Sequence, residues 1–279
     1  MGEAERISEH VWRLALPSDT LPPYDHVNTY LIASSGVGAL VDPGSFDAGA
    51  LSATRAALAA AGVRLLKAVF LTHTHRDHTG GLQTLLEAEG PLAVYVHPLE
   101  ADRLQGTTGI VPLGDDRRIT VGDVVVRALH TPGHSPGHLS YLLPEEGVLL
   151  LGDLIAGEGS TWVGLPEGDV SAYLASLARL RGLRPRLLGP GHGPVVRDAD
   201  RKLADSAAHR LERERQVLTA LAGGPETLSE LRRKIYPSLP DSAVTLVEGS
   251  LLAHLAKLMR EMRVVHLGED VSGPYALRR

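Results

Sequence analysis

The sequence predicts an α/β protein with a small helical appendage at its C-terminal end. Three observations carry that reading. Short apolar runs alternate with amphipathic stretches up to about residue 198. Beyond that point the alternation stops and helical periodicity dominates. The charge changes at the same place: residues 1–198 hold 15 basic and 22 acidic side chains, residues 199–279 hold 13 and 11. We therefore expect two domains, residues 1–198 and residues 199–279.

The elements follow in order. Val11–Leu16 and Asn28–Ile32 read as strands, and Gly38–Val41 is a short apolar run closed by the turn signal Asp42-Pro43-Gly44. Ala48–Ala61 places Leu51, Ala57, Leu58 and Ala61 on one helical face, with Thr54 the polar member of the stripe and Gly62 the stop. Lys67–Leu71 is a buried strand, Gly81–Glu89 a helix and Ala93–Val96 a strand. Val124–Leu129, Leu139–Leu143 and Val148–Leu151 are further strands. Asp169–Leu183 is a helix facing inward through Val170, Leu174, Leu177 and Leu180, and Arg186–Leu188 is a last strand before a Gly/Pro loop.

In the second part, Ala199–Leu221 carries Leu203, Ala207, Leu211, Leu218 and Leu221 at helical spacing and ends at Gly223-Gly224-Pro225. Thr227–Ile235 opens with Thr227 and Glu230 in a capping-box pattern. Asp241–Met262 is a longer helix with Val244, Val247, Leu251, Leu255 and Leu258 on one face. Val264–Leu267 and Tyr275–Leu277 flank a turn and pair as a wing.

Composition narrows the function. Apolar residues at 43% and charged residues at 22% are the balance of a chain that buries a core, which excludes disorder as its main state. No apolar run is long enough to span a bilayer. The acidic start, Met1–Arg6, leads straight into a strand pattern without a signal-peptide signature, so a cytoplasmic location is expected. Cysteine is absent, which excludes disulfides, a thiol nucleophile and thiolate-bound metal. Any metal site must be built from His and carboxylates. The net charge of −5 makes no global case for nucleic acid. The basic residues are 24 Arg and 4 Lys, which we read as a coding bias.

The chemistry sits in the histidines. Thr72-His73-Thr74-His75-Arg76-Asp77-His78 follows the strand at 67–71 and precedes a helix. In extended chain, residues i and i+2 point the same way, so His73 and His75 can bind one ion from one face. The turn that follows brings Asp77 and His78 to a second. Three more ligand types stand in loops directly after strands: His134 in Thr131-Pro-Gly-His134, Asp153 in Leu151-Gly-Asp153, and His192 in Gly189-Pro-Gly-His192. Loops at strand C-terminal ends are where α/β sites collect. A set of His and Asp without thiolate suits Zn²⁺, Fe or Mn²⁺.

The set His73, His75, Asp77, His78, His134, Asp153 and His192, in this order and spacing, resembles the metallo-β-lactamase superfamily over about residues 8–198. The resemblance implies a four-layer αββα sandwich with two Zn²⁺, or Mn²⁺ or Fe, at one sheet edge. It implies that His73, His75 and His134 hold the first ion, that Asp77, His78 and His192 hold the second, and that Asp153 bridges. It implies a metal-dependent hydrolase in which a bridging hydroxide attacks, with Asp77 as the catalytic residue that orients it and passes a proton. Branches of the family differ in these residues. A β-lactamase is disfavoured because His78 is present and Cys is absent, and the flavodiiron branch because His75 is retained. Between Asp153 and His192 lies only the helix at 169–183, which leaves no room for the cap of the large nucleases.

The whole chain is most similar to the β-lactamase-like protein 2 subgroup, whose members carry a winged-helix-like domain after the metal domain. Asn28-Thr29-Tyr30-Leu31, the loop around His192, His209-Arg-Leu-Glu-Arg-Glu, Leu228-Ser-Glu-Leu231 with Ile235-Tyr-Pro237, and Ser250-Leu-Leu-Ala-His254-Leu carry that similarity. It implies an endoribonuclease on single-stranded RNA. The alternatives are a glyoxalase II-like thioesterase or a lactonase on a small ester or thioester, a persulfide dioxygenase with one iron at His73, His134 and Asp153, and a nucleic-acid-binding regulator. For the thioesterase, Arg210, Arg213 and Arg215 spread around their helix and read as a solvated face. For the regulator, the outward face of 241–262 offers Ser242, Thr245, Glu248, Lys257 and Glu261, which is mixed in sign. The tail otherwise reads as a buttress or a homodimer surface; no membrane partner is expected. Among the other residues, His26 and Trp162 are expected at the substrate mouth, and His138 is either a residue that orients a ligand or a loop contact. His97 and His130 read as structural and His254 as packing.

Overall fold

Strands with two buried faces set the architecture. In the computed structural model, which describes residues 4–278, the first sheet holds β1 (Glu5–Arg6), β2 (Val11–Pro17), β3 (His26–Ser34), β4 (Val37–Val41), β5 (Leu65–Phe70), β6 (Ala93–Val96) and β7 (Ile110–Pro112), in that spatial order. The second sheet runs β12 (Leu187–Pro190), β11 (Val148–Gly152), β10 (Leu139–Leu143), β9 (Val124–His130), β8 (Arg117–Val121). Alternate residues of each strand serve different layers, as the pleat requires. Tyr30 and Ile32 join Tyr141, Leu139 and Leu150 in the core between the sheets. Leu31 and Ala33 face the other way, onto α1 (Ala50–Ala60) and α3 (Leu82–Glu89). Leu149, Leu151 and Leu188 leave the second sheet's outer face to be covered by α5 (Val170–Gly182) and α6 (Ala199–Leu221). The result is the expected αββα sandwich.

Two parallel pairings fix where the site lies. β4 pairs parallel with β5, and β11 pairs parallel with β12, so the C-terminal ends of each pair open at the same edge. The loops that follow β4, β5, β9, β11 and β12 start at Asp42, Leu71, Thr131, Asp153 and Gly191. Short helices that periodicity misses interrupt two connections, α2 (Arg76–Thr79) within the His cluster and α4 (Pro98–Ala101). The edge strands β1, β7 and β8 are also absent from the expectation. β8 reads Arg-Arg-Ile-Thr-Val with both arginines exposed, which is how an edge is kept from pairing further.

The tail begins with α6 and continues with α7 (Leu228–Ile235), α8 (Val244–Arg260) and a hairpin of β13 (Val264–His266) with β14 (Tyr275–Leu277). The capping box is present: Thr227 Oγ1 accepts from the Glu230 amide at 3.3 Å and Glu230 Oε2 accepts from the Thr227 amide at 2.8 Å. The helix expected over 241–262 is shorter. Asp241–Ala243 form a 3₁₀ turn, and Met262 at φ 57° lies past the end. The helix that begins at the expected domain boundary serves both sides of it. Ala199 and Leu203 of α6 enter the core on the second sheet, whereas Val217 and Leu221 enter the tail core with Leu231, Leu251 and Leu255. No helix of the described residues is long and apolar enough to cross a membrane.

Candidate metal centre

The structure brings all seven expected ligands to one edge, in two groups. His73, His75 and His134 form the first; Asp77, His78, Asp153 and His192 form the second; within each group one donor atom per residue lies within 4.8 Å of the others. His75 Nδ1 and His134 Nε2 are 3.0 Å apart. In the second group His192 Nε2 is 3.3 Å from Asp77 Oδ2 and 3.4 Å from Asp153 Oδ1. Asp153 stands between the groups, with Oδ1 3.2 Å from His78 Nε2 and Oδ2 3.8 Å from His134 Nε2. His73 Nε2 is buried and lacks a hydrogen-bond partner, and His78 Nε2, equally buried, has only the Asp153 carboxylate beside it. Buried imidazole nitrogens and carboxylates gathered this closely fit a pair of cations.

Each histidine has its other nitrogen fixed from outside. Thr72 Oγ1 donates to Asp42 Oδ2 at 2.6 Å, so it accepts from His73 Nδ1 at 3.0 Å. His78 Nδ1 faces Asp42 Oδ2 at 2.9 Å. His134 Nδ1 donates to the Trp162 carbonyl at 2.8 Å and His192 Nδ1 to the His26 carbonyl at 2.7 Å. His75 Nε2 faces Glu167 Oε2 at 3.2 Å. In the neutral imidazoles these acceptors assign the tautomers, and all five remaining nitrogens turn inward. The close approach of the last loop needs glycine. A Cβ at Gly191 would lie 2.5 Å from Asp153 Oδ1 and 2.7 Å from His78 Cε1.

Burial and the neighbouring charges act differently on the individual groups. Burial pushes His73 well below the ordinary histidine range, and neighbouring histidines add to it. Burial also lowers His134. On His78 burial acts the same way, but Asp153 and Asp42 outweigh it and raise the pKa well above the usual value. Burial opposes the charge on Asp77, yet the hydrogen bond from His192 and the charge of His78 hold it down at about 2. Burial is the largest single effect on Asp153 and raises its pKa, but His78, His192 and His134 together outweigh it and hold it well below the carboxylate range. Both carboxylates are thus ionised.

A cavity of about 440 Å³ opens above the cluster. It is lined by the ligands His75, Asp77, His134, Asp153 and His192, by Leu21, Pro22, Pro23, Tyr24, Ala156, Trp162 and Leu246, and by the polar Asp19, Thr20, Arg76, Ser160 and Thr161. Trp162 is among the residues that line it. His26 is not among the residues that line it: its imidazole pairs with Asp25, and it is the backbone carbonyl that serves the site. His138 packs 5.3 Å from the His73 ring and bonds Thr131 Oγ1, so it is a buried neighbour that orients no ligand through a hydrogen bond. His97 and His130 stack on each other at 4.2 Å away from the cluster.

The family model of the metallo-beta-lactamase superfamily matches residues 22–192. The chain belongs to the metallo-beta-lactamase superfamily. The model of the beta-lactamase associated winged helix domain matches residues 227–272, which bears out the two-part pattern of the resemblance. Within the superfamily the chain is 30% identical to lactamase-like protein adaB of Aspergillus niger, over 96% of this chain and 86% of the relative. It is 32% identical to the atrochrysone carboxyl ACP thioesterase of Aspergillus fumigatus, over 85% and 77%. It is 28% identical to the beta-lactamase-like protein 2 homolog of Caenorhabditis elegans, over 92% and 86%. A solved metallo-beta-lactamase family protein from Thermus thermophilus superposes with a TM-score of 0.79 at 28% identity, covering 98% of this chain and all of that one. Another, solved in a di-iron-bound form, gives 0.54 at 33% identity over 64% of this chain and 93% of that one.

Sequence reasoning on this superfamily member missed the groups around the ligands. Asp42 was legible only as a turn residue, and Thr20, whose hydroxyl donates to Asp77 Oδ2 at 2.6 Å, had no signal. Glu167 and the Trp162 carbonyl come from a loop that carries no motif.

Proposed function

We propose that the protein hydrolyses thioesters or esters of bulky apolar acids, with one divalent ion at His73, His75 and His134, a second at Asp77, His78 and His192, and Asp153 between them. The observation that carries this reading is the lining beyond the ligands, in which Leu21, Pro22, Pro23, Tyr24, Ala156, Trp162 and Leu246 outnumber the polar side chains. Such a lining binds an acyl group by burial. A single-stranded RNA would instead bring a phosphate charge per nucleotide to a mouth with one cation among its lining residues, Arg76, set against Asp19, Asp77 and Asp153. The likeness to a relative named as an acyl-carrier thioesterase supports the same class.

Divalent ions held by these residues would supply Lewis acidity, lowering the pKa of water and polarising the bond to be cleaved. The chain's own residues do the rest. Asp77, fixed by Thr20 and ionised, accepts a hydrogen bond from the attacking water at Oδ1 or Oδ2 and orients it. Tyr24 stacks on His192 at 5.7 Å and, with Trp162 and Leu246, excludes bulk water from the reacting bond. From a thioester the thiol leaves readily as the thiolate, so no further acid is demanded of the site; from an ester the alcohol would leave with the proton that Asp77 takes from the attacking water.

The test incubates Zn²⁺-loaded protein with aromatic and aliphatic acyl thioesters of N-acetylcysteamine, and separately with end-labelled single-stranded RNA. EDTA and Asp77→Ala serve as controls. Thioester hydrolysis that both controls abolish, at least about 10²-fold below the parent, is expected. RNA cleavage that both controls abolish, with intact thioesters, would overturn the reading.

A further inference from the structure

Two of the first cage's three histidines are oriented by a single loop, and the tail holds that loop. The Trp162 carbonyl accepts from His134 Nδ1 at 2.8 Å, and Glu167 Oε2 faces His75 Nε2 at 3.2 Å. Between and around these two groups the loop makes four bonds to tail helices. Arg210 of α6 donates to the Thr161 carbonyl. The Trp162 indole Nε1 donates to the Leu246 carbonyl at 2.9 Å, and the Leu165 amide donates to the Gly249 carbonyl at 3.0 Å. Arg260 donates to Asp169, at the end of the loop, at 2.9 Å.

Gly249 shows that the contact is built in. It lies inside α8, where glycine is a poor helix former. A Cβ there would stand 3.2 Å from the Leu165 carbonyl oxygen and 3.4 Å from Trp162 Cζ2. The glycine lets the helix backbone close on the loop and the indole.

In the second cage the loop reaches only Asp153, whose backbone carbonyl accepts from Thr161 Oγ1 at 2.7 Å. His78 is oriented by Asp42, His192 by the His26 carbonyl and Asp77 by Thr20, all within the metal domain.

We propose that the tail is a clamp for the first ion only: through Trp162 and Glu167, acting as positioning residues, α8 and α6 set the geometry of His134 and His75. The inference rests on the ligand assignment above and is independent of the substrate. Groups that orient metal-ligating histidines are worth about 10–100-fold in metal affinity.

The experiment measures Zn²⁺ affinity by competition with a chromophoric chelator. A His192→Ala background leaves the first cage, and a His73→Ala background leaves the second. Trp162→Phe removes only the indole donor, Glu167→Gln removes the charge, and Gly249→Val presses on the loop. Each is expected to weaken binding about 10–100-fold in the His192→Ala background and less than about 3-fold in the His73→Ala background. Far-UV dichroism with the zinc chelated shows that the variants are folded, and Trp162→Phe keeps the test open if Gly249→Val is not. Equal weakening in both backgrounds, or none in either, would overturn the clamp. A parent chain that binds fewer than two zinc ions would overturn the ligand assignment itself, and the clamp with it.

Discussion

Asp42 shows how much one side chain outside the ligand set can carry. It sits at the end of β4 with φ 52°, a left-handed conformation that Asp tolerates better than most residues. There its Oδ1 accepts from the Thr72 amide at 2.8 Å, and its Oδ2 serves both Thr72 Oγ1 and His78 Nδ1. One carboxylate thus orients His78 directly and His73 through Thr72. Asp42→Asn keeps the backbone preference and removes the charge. It is expected to lower Zn²⁺ affinity of the second cage by about 10–100-fold, measured by chelator competition in the His73→Ala background. An unchanged affinity would mean that Asp42 only shapes the turn. The seven ligands were legible because they are ligand types at tight spacing after apolar strands. Their orienting groups were not, for a physical reason. Asp42 stands 36 residues from His78 and Glu167 stands 92 from His75, and the acceptor for His134 is a carbonyl, which every residue has. Only the fold brings them together.

At the scale of elements, periodicity located the tail helices and misjudged their faces. Lys257, expected on an outward face of α8, is buried and pairs with Glu214 at 2.5 Å and Glu261 at 2.8 Å. Arg210, expected on a solvated face of α6, is buried against the Tyr173 ring at 5.3 Å. A helix packed on two sides has no single apolar stripe, so long cations with apolar stems fill the second contact. His254 belongs to this interface. It is fully buried, neither ring nitrogen has a partner, and Arg210, Arg213 and His209 of α6 and Lys257 of α8 surround it. Burial first, then these cations, lower its pKa to about 3. Its folded pKa lies below its unfolded one, so the unfolded chain binds the extra proton between about pH 6.5 and pH 3. This histidine therefore makes stability fall as pH drops through that window and has no effect above it. The slope is at most about 1.4 kcal/mol per pH unit. In urea unfolding at a series of pH values, His254→Phe is expected to remove that part of the slope. Parallel curves for parent and variant from pH 4 to pH 7 would show that His254 titrates normally.

Across the whole molecule, the sequence pattern changes near residue 199, where the strands of the two sheets end and α6 begins, yet the cores do not divide there. The pattern registers where the strands stop. It does not register that α6 has two partners along its length. Ala199 and Leu203 lie in the core on the second sheet beside Val170, Leu177 and Leu180, and Ala253 of α8 joins the same cluster. A chain ending at residue 198 therefore loses side chains from the core of the metal domain itself, as well as the clamp on loop 161–169. Loss of a buried leucine such as Leu203 costs about 2–5 kcal/mol, a large share of the about 5–15 kcal/mol that holds a typical domain folded. Residues 1–198 alone are expected to be insoluble, or to melt more than about 10 °C below the full chain. If the fragment is soluble, it should bind one zinc ion tightly, at the second cage, and the other weakly. Calorimetric melting and zinc stoichiometry on the purified fragment check both statements. A fragment that melts with the full chain and binds two ions with equal affinity would mean that the metal domain is self-sufficient and that α6 and α8 only cover it. The structure argues otherwise, because the helix that begins the tail is also the layer that closes the sandwich.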